Sequence, residues 1–130
     1  MFQDVEVISS YTRAQAIADG VLVDVSTTAK EAGFRYPVAI TATAFNSYVV
    51  PDILAANYGN CVEGRLWDTL SMLRYAIAKE SGSTILFSVL FAMGKQTGRG
   101  CYQKEVQLKA ICSPGDTMDP TITILLPKED

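Results

Sequence analysis

Three strand-forming segments fill residues 84–126 and follow directly on one long amphipathic helix, and this order restricts the fold more than any other feature of the chain. From Glu63 to Lys79, residues Leu66, Leu70, Leu73 and Ile77 recur at spacings of four, three and four, a single apolar stripe on a helix. Ser81-Gly82-Ser83 ends it. Thr84 to Met93 is apolar in both alternations, with Ile85, Phe87, Val89 and Phe91 against Leu86, Leu90 and Ala92. Such a segment is expected to be a central strand covered on both faces. After a glycine-rich loop, Tyr102 to Cys112 alternates Val106, Leu108 and Ala110 with Glu105, Gln107 and Lys109. Ser113 to Asp116 turns the chain, and Thr121 to Leu126 directs Ile122, Ile124 and Leu126 inward and Thr121 and Thr123 outward. The expected architecture is α+β: a mostly antiparallel sheet, built from this C-terminal meander plus a short N-terminal strand, packed with three to four helices on one face or end.

The N-terminal part supplies the remaining elements. Thr12 suits the cap of a short helix from Arg13 to Asp19, and Gly20 suits the left-handed position beyond its end. Ala14, Ile17 and Ala18 are expected to face inward. Val21 to Val25 alternates as a short strand, and Ser26 opens a second small helix with Ala29 and Ala32 as its core contacts and Gly33 as its stop. Pro37 holds Tyr36 extended, and Val38 to Ile40 adds a strand. Thr41 caps a third helix running to about Val49, and residues 51–62 are expected to be irregular.

A chain of 130 residues is expected to form a single domain over residues 1–130. With 48% hydrophobic and 19% charged residues, a packed core is expected rather than disorder. No apolar run reaches the roughly 18 residues a membrane span requires. The segment MFQDVEVIS carries acidic residues where a signal peptide carries basic ones, so the expectation is a soluble, cytoplasmic protein with no membrane partner. Cys61, Cys101 and Cys112 are odd in number and widely spaced, and the chain has no histidine. Neither a structural zinc site nor a Ser-His or Cys-His nucleophile is therefore expected, no cofactor is implied, and the thiols are expected to be reduced and mostly buried. The formal net charge of −3 does not favour a nucleic-acid surface.

Several segments together resemble a group of small bacterial proteins of unknown function, often carried on plasmids, phages and other mobile elements. They are YTRAQAIADGVLVDVS (Tyr11 to Ser26), FRYPVAIT (Phe34 to Thr41), GRLWD (Gly64 to Asp68), LKAICSPGD (Leu108 to Asp116) and PTITILLPKED (Pro120 to Asp130). The resemblance implies an accessory role on a mobile element and brings no activity, cofactor or catalytic residue.

Four groups of residues are candidates for function. Tyr11, Arg13, Asp19 and Asp24, taken with Arg65, Trp67 and Asp68, could grip an anionic ligand or a partner's carboxylates through two guanidinium forks. The same residues could equally form an ion-pair network that pins the N-terminal helix to the long one, with Arg65 and Asp68 contributing more to stability than to binding. Lys95 and Arg99 lie in the loop GKQTGRG, whose order lacks the strand–GxxxxGK[ST]–helix context of a nucleotide loop. A solvated hairpin tip, or a minor nucleic-acid contact, is what remains. Asp116, Asp119, Glu129 and Asp130 lack the spacing of a calcium loop and read as turn and terminal residues. Phe45, Tyr48, Val49, Val50, Ile53, Leu54 and Tyr58 form either a lid on the core or a surface for self-association.

These observations lead to the expectation of an accessory protein that binds a host or mobile-element protein, without catalysis, through Tyr11, Arg13, Asp24, Arg65, Trp67 and Asp68. Two alternatives stand beside it. One is a small-molecule enzyme or ligand-binding domain with an Arg/Asp cleft, and the other is a nucleic-acid accessory protein using Lys95 and Arg99. A homo-oligomer is compatible with each.

Overall fold

The computed structural model describes residues 11–129. In chain order the elements are α1 (Arg13–Ala18), β1 (Leu22–Asp24), α2 (Ser26–Glu31), β2 (Val38–Thr41), α3 (Ala42–Ala44) running into a π-helical turn (Phe45–Val49), α4 (Ile53–Asn57), α5 (Val62–Lys79), β3 (Thr84–Gly94), β4 (Cys101–Pro114) and β5 (Pro120–Leu125). The strands form one sheet in the order β1-β2-β5-β4-β3, antiparallel at every pairing except the parallel one between β2 and β5. This is the expected α+β class with a mostly antiparallel sheet.

Local chemistry accounts for most element boundaries. The Thr12 side chain accepts from the Gln15 N–H at 3.0 Å while the Gln15 side chain accepts from the Thr12 N–H at 2.8 Å, a reciprocal capping box that starts α1. Gly20 and Gly33 take the left-handed conformation, φ +80° and +100°, just past α1 and α2. Thr41 Oγ1 accepts from the Ala44 N–H at 3.2 Å, so the last residue of β2 also caps α3.

The core lies between one face of the sheet and the helices α2, α3 and α5. Val38 and Ile40, Ile122 and Ile124, Leu108 and Ala110, and Phe87, Val89 and Phe91 meet Ala29, Ala44, Leu66, Leu70 and Leu73. The inward side chains of α2 are Ala29 and Ala32, as expected. On α1, however, Ala14 and Ala18 face solvent and Ala16 is the buried residue, because this six-residue helix packs chiefly along β1. On α5 the stripe Leu66, Leu70 and Leu73 is buried, but Ile77 is partly exposed, bordering an open pocket with Ile85, Ala110 and Ile122 of the sheet, and Arg65 and Thr69 are buried as well. Thr121, expected outward, is buried, with its hydroxyl donating to the Ser113 carbonyl at 3.1 Å.

Two larger corrections concern whole elements. Residues 51–62 are not irregular throughout: Asp52 accepts from the Ala55 N–H at 2.7 Å and caps α4 immediately after Pro51. β3 is not a central strand covered on both faces. It is the edge strand, and Leu86 and Leu90 are 48% and 61% exposed. Among the described residues, no helix is long and apolar enough to cross a membrane.

Candidate functional site

The cluster expected from sequence divides into two groups on opposite faces of the sheet. Arg65 lies against Phe91 on the core face, with its guanidinium carbon 4.8 Å from the ring centre. Arg13 reaches Thr123, which alternates with the core residues Ile122 and Ile124 and so points to the other face. The structure does not bring the two arginines together.

Arg65 is 3% exposed, and its donors are taken by protein groups. Nε donates to the Tyr48 carbonyl at 2.8 Å, Nη1 to the Ala92 carbonyl at 2.8 Å and the Asn60 side-chain oxygen at 3.4 Å, and Nη2 to the Met93 sulfur at 3.7 Å. The ring of Phe91 that it covers also stacks on Tyr48, centroid to centroid 5.7 Å. Burial lowers the pKa of this guanidinium, and the nearby charges of Asp52 and Asp68 act in the opposite sense. The cation is thus held by dipoles and an aromatic face. It joins the π-helical turn, the connection before α5 and the end of β3.

Asp52, which sequence reasoning passed over, is the second member of this junction. One carboxylate oxygen caps α4 and the other accepts from the Gly94 N–H at 2.9 Å. These bonds, that to Gly94 foremost, hold its carboxyl below the usual carboxylate range. The available signal was an aspartate directly ahead of the run Ile53–Asn57. Gly94 is required where α4 crosses β3, because a Cβ there would lie 2.8 Å from that of Leu54. The Tyr58 hydroxyl accepts from the Gly100 N–H at 3.2 Å and extends the junction to the hairpin tip.

Trp67 and Asp68, also on α5, are exposed and take no part in the Arg65 network of hydrogen bonds. Asp68, Ser71 and Met72 instead border a groove of about 610 Å³ whose other side is Ser88, Leu90 and Glu105.

On the other face, Arg13 Nη1 donates to Thr123 Oγ1 and Nη2 to the Ile122 carbonyl, both at 2.7 Å. Burial lowers its pKa, opposed by Asp24 and Asp116. The Asp116 carboxylate accepts from the N–H groups of Arg13 and Ala14 at 2.8 and 3.1 Å, which fastens the β4–β5 turn to the start of α1. The Tyr11 hydroxyl donates to Asp19 at 2.8 Å, and this bond raises the Tyr11 pKa. Asp24 accepts from the Ser26 N–H and hydroxyl at 3.0 and 2.6 Å, closing the turn into α2.

The remaining candidates sort by position. Lys95 and Arg99 sit at the tip of the β3–β4 hairpin, where Gly98 and Gly100 adopt positive φ. Among the described residues no cluster of acidic, cysteine or histidine side chains could hold a metal ion. Glu129 is tied down, accepting from Thr41 Oγ1 at 2.7 Å and the Leu126 N–H at 2.8 Å, while Asp130 lies outside the described residues. The cysteines are unpaired, but none is buried as expected: Cys61 is exposed and caps α5 through a 3.3 Å contact with the Gly64 N–H. Phe45, Tyr48, Val49 and Leu54 pack inward, whereas Val50, Ile53 and Tyr58 remain exposed.

Residues 1–130 match the family model described as a family of unknown function (DUF6573), and the chain belongs to that family. No curated protein and no solved structure matches it.

Proposed function

We propose that this member of the family of unknown function is an accessory protein that acts by holding a protein partner, without chemistry of its own, in the cytoplasm of a bacterium whose plasmid or phage carries it. The observation that carries the reading is the exposure of large apolar side chains on one helix–turn–helix unit: Ile53 on α4, Tyr58 after it, and Trp67 on α5, which is 44% exposed. Aromatic side chains on rigid helices bury much area at small entropic cost, the property of interface anchors. Asp68 beside Trp67 adds a charge for orientation. The likeness of five sequence segments to mobile-element proteins supports the accessory role. The alternative of a small-molecule site in an Arg/Asp cleft has less support, because both guanidiniums are directed at the protein's own carbonyl and hydroxyl oxygens.

The test is an affinity pull-down of the tagged full chain from bacterial lysate, read for protein by mass spectrometry and for nucleic acid by nuclease-controlled staining. A stoichiometric protein lost from a Tyr58→Ala, Trp67→Ala variant with unchanged circular dichroism is the expected result. Nucleic acid that persists in moderate salt and disappears in a Lys95→Ala, Arg99→Ala variant overturns the reading in favour of the hairpin tip.

A further inference from the structure

β3 is eleven residues long and carries no charged residue from Thr84 to Gly94. The hydrogen bonds Cys112 N–H to Ser83 carbonyl (2.8 Å) and Lys95 N–H to Gly100 carbonyl (3.1 Å) bracket its pairing with β4. In an antiparallel ladder these fix the phase: odd-numbered residues of β3 bond to β4, and even-numbered residues direct both N–H and C=O away from it. Arg65 takes the outward carbonyl of Ala92, and Asp52 takes the outward N–H of Gly94. Among the described residues nothing pairs with the outward groups of Thr84, Leu86, Ser88 and Leu90. A long, uncharged edge of this kind is a template for another strand.

We propose that a second copy of this chain occupies this edge, with the two β3 strands antiparallel about a two-fold axis at Ser88. Leu86 then faces the partner's Leu90, and Ser88 faces the partner's Ser88, so the outward N–H and C=O groups pair with one another. Three features favour a second copy as the occupant. First, the register sets Leu90 against the partner's Leu86, so the two large exposed apolar side chains of each edge cover one another and leave solvent. Second, the exposed stripe of α5 along this edge is Asp68, Met72, Tyr75 and Lys79, at helical spacings of four, three and four. Asp68 and Met72 border the groove beside Ser88 and Leu90. The helix then runs to Lys79 and turns back into Thr84, which places Tyr75 and Lys79 beside the Leu86 end. The stripe is acidic at one end, apolar in the middle and basic at the other, the pattern that complements itself when reversed. Third, Arg65 and Asp52 limit the open segment at one end, and the opposite edge of the sheet is the three-residue β1, whose Asp24 is exposed. Growth therefore closes at two copies.

The experiment is the mass of the full chain by sedimentation at high micromolar concentration, for the wild type and four variants. The wild type is expected at twice the 14.1 kDa chain mass. Leu90→Lys is expected to weaken the dimer by at least about a hundredfold. Asp68→Lys and Lys79→Asp are each expected to weaken it by about tenfold, and the double reversal to restore it. A monomeric wild type overturns the proposal. So does a dimer that Leu90→Lys leaves intact, or a pair of charge reversals that adds instead of compensating. The pull-down variant Tyr58→Ala, Trp67→Ala changes none of the residues varied here, so a failure of one reading is distinguishable from a failure of the other.

Discussion

Arg65 is the residue on which the structure depends most. A buried guanidinium that satisfies the carbonyls of Tyr48 and Ala92 and covers Phe91 leaves two carbonyl groups and a hole when it is truncated. Hydrogen bonds to a charged donor contribute roughly 1.5–3 kcal/mol each, so Arg65→Ala is expected to lose about 3–5 kcal/mol in denaturant unfolding. Arg65→Lys keeps the charge without the planar fork and is expected to lose about half as much. Asp68→Ala, at an exposed position on the same helix, is expected to change stability by less than about 0.5 kcal/mol. If Arg65→Ala unfolds at the wild-type midpoint, the guanidinium is not structural and the anion-gripping alternative regains its footing. The sequence marked Arg65 as a guanidinium grouped with Trp67 and Asp68 on the long helix. Its partners were out of reach of sequence: two are backbone carbonyls that any residue would supply, contributed from 17 and 27 positions away.

At the scale of elements, the parts legible in the sequence are those set by local chemistry. Thr12, Gly20, Gly33 and Thr41 sit at caps and stops whose geometry depends on neighbours within a few residues. β3 was misread because its alternation is hidden: Leu86 and Leu90 occupy the face that solvent usually marks with polar residues, and no local signal separates an edge from a centre. α4 was missed because five residues give too little periodicity to outweigh Pro51 and Gly59 around them. The link between these two elements is Asp52, and its behaviour with pH is a direct test. Its carboxyl is held below the usual range chiefly by the Gly94 N–H, so the folded state favours the charged form. That stabilisation is complete above the unfolded carboxyl value near 4 and fades as pH falls through the lower folded value. Asp52→Asn retains a cap for α4 but not the charge. It is expected to be less stable than wild type at neutral pH, with the difference shrinking in acid, measured as urea midpoints over a pH series. A difference that stays constant down to a pH of about 2 would assign the effect to geometry rather than charge.

For the whole molecule, the decisive fact is the place of β5. The last strand in sequence is the central strand in space, pairing in parallel with β2 through Val38–Ile122 and Ile40–Ile124 and antiparallel with β4. The alternation of Ile122 and Ile124 made the strand legible, but its neighbours were not, because the parallel pairing joins segments some eighty residues apart and leaves no mark on either. Joined this way, the β1–β2 unit and the β3–β4 hairpin meet only through β5 within the sheet. A fully buried residue at that junction is therefore expected to destabilise both halves at once. Ile124→Ala removes side-chain volume at a site with no solvent access and is expected to lose about 3 kcal/mol, through lost burial and the cavity left behind. Because β5 joins the halves, unfolding is expected to remain one transition in this variant. Trp67 fluorescence, far-ultraviolet circular dichroism and amide exchange at β1 and β2 are expected to yield the same free energy. If exchange at β1 and β2 opens at a lower free energy than the Trp67 transition, the N-terminal strands form a separate cooperative unit and the single-domain reading fails. If the three agree, the central strand joins the β1–β2 unit and the helix-covered β3–β4 hairpin into one cooperative unit, and a lesion at β5 lowers the stability of both together.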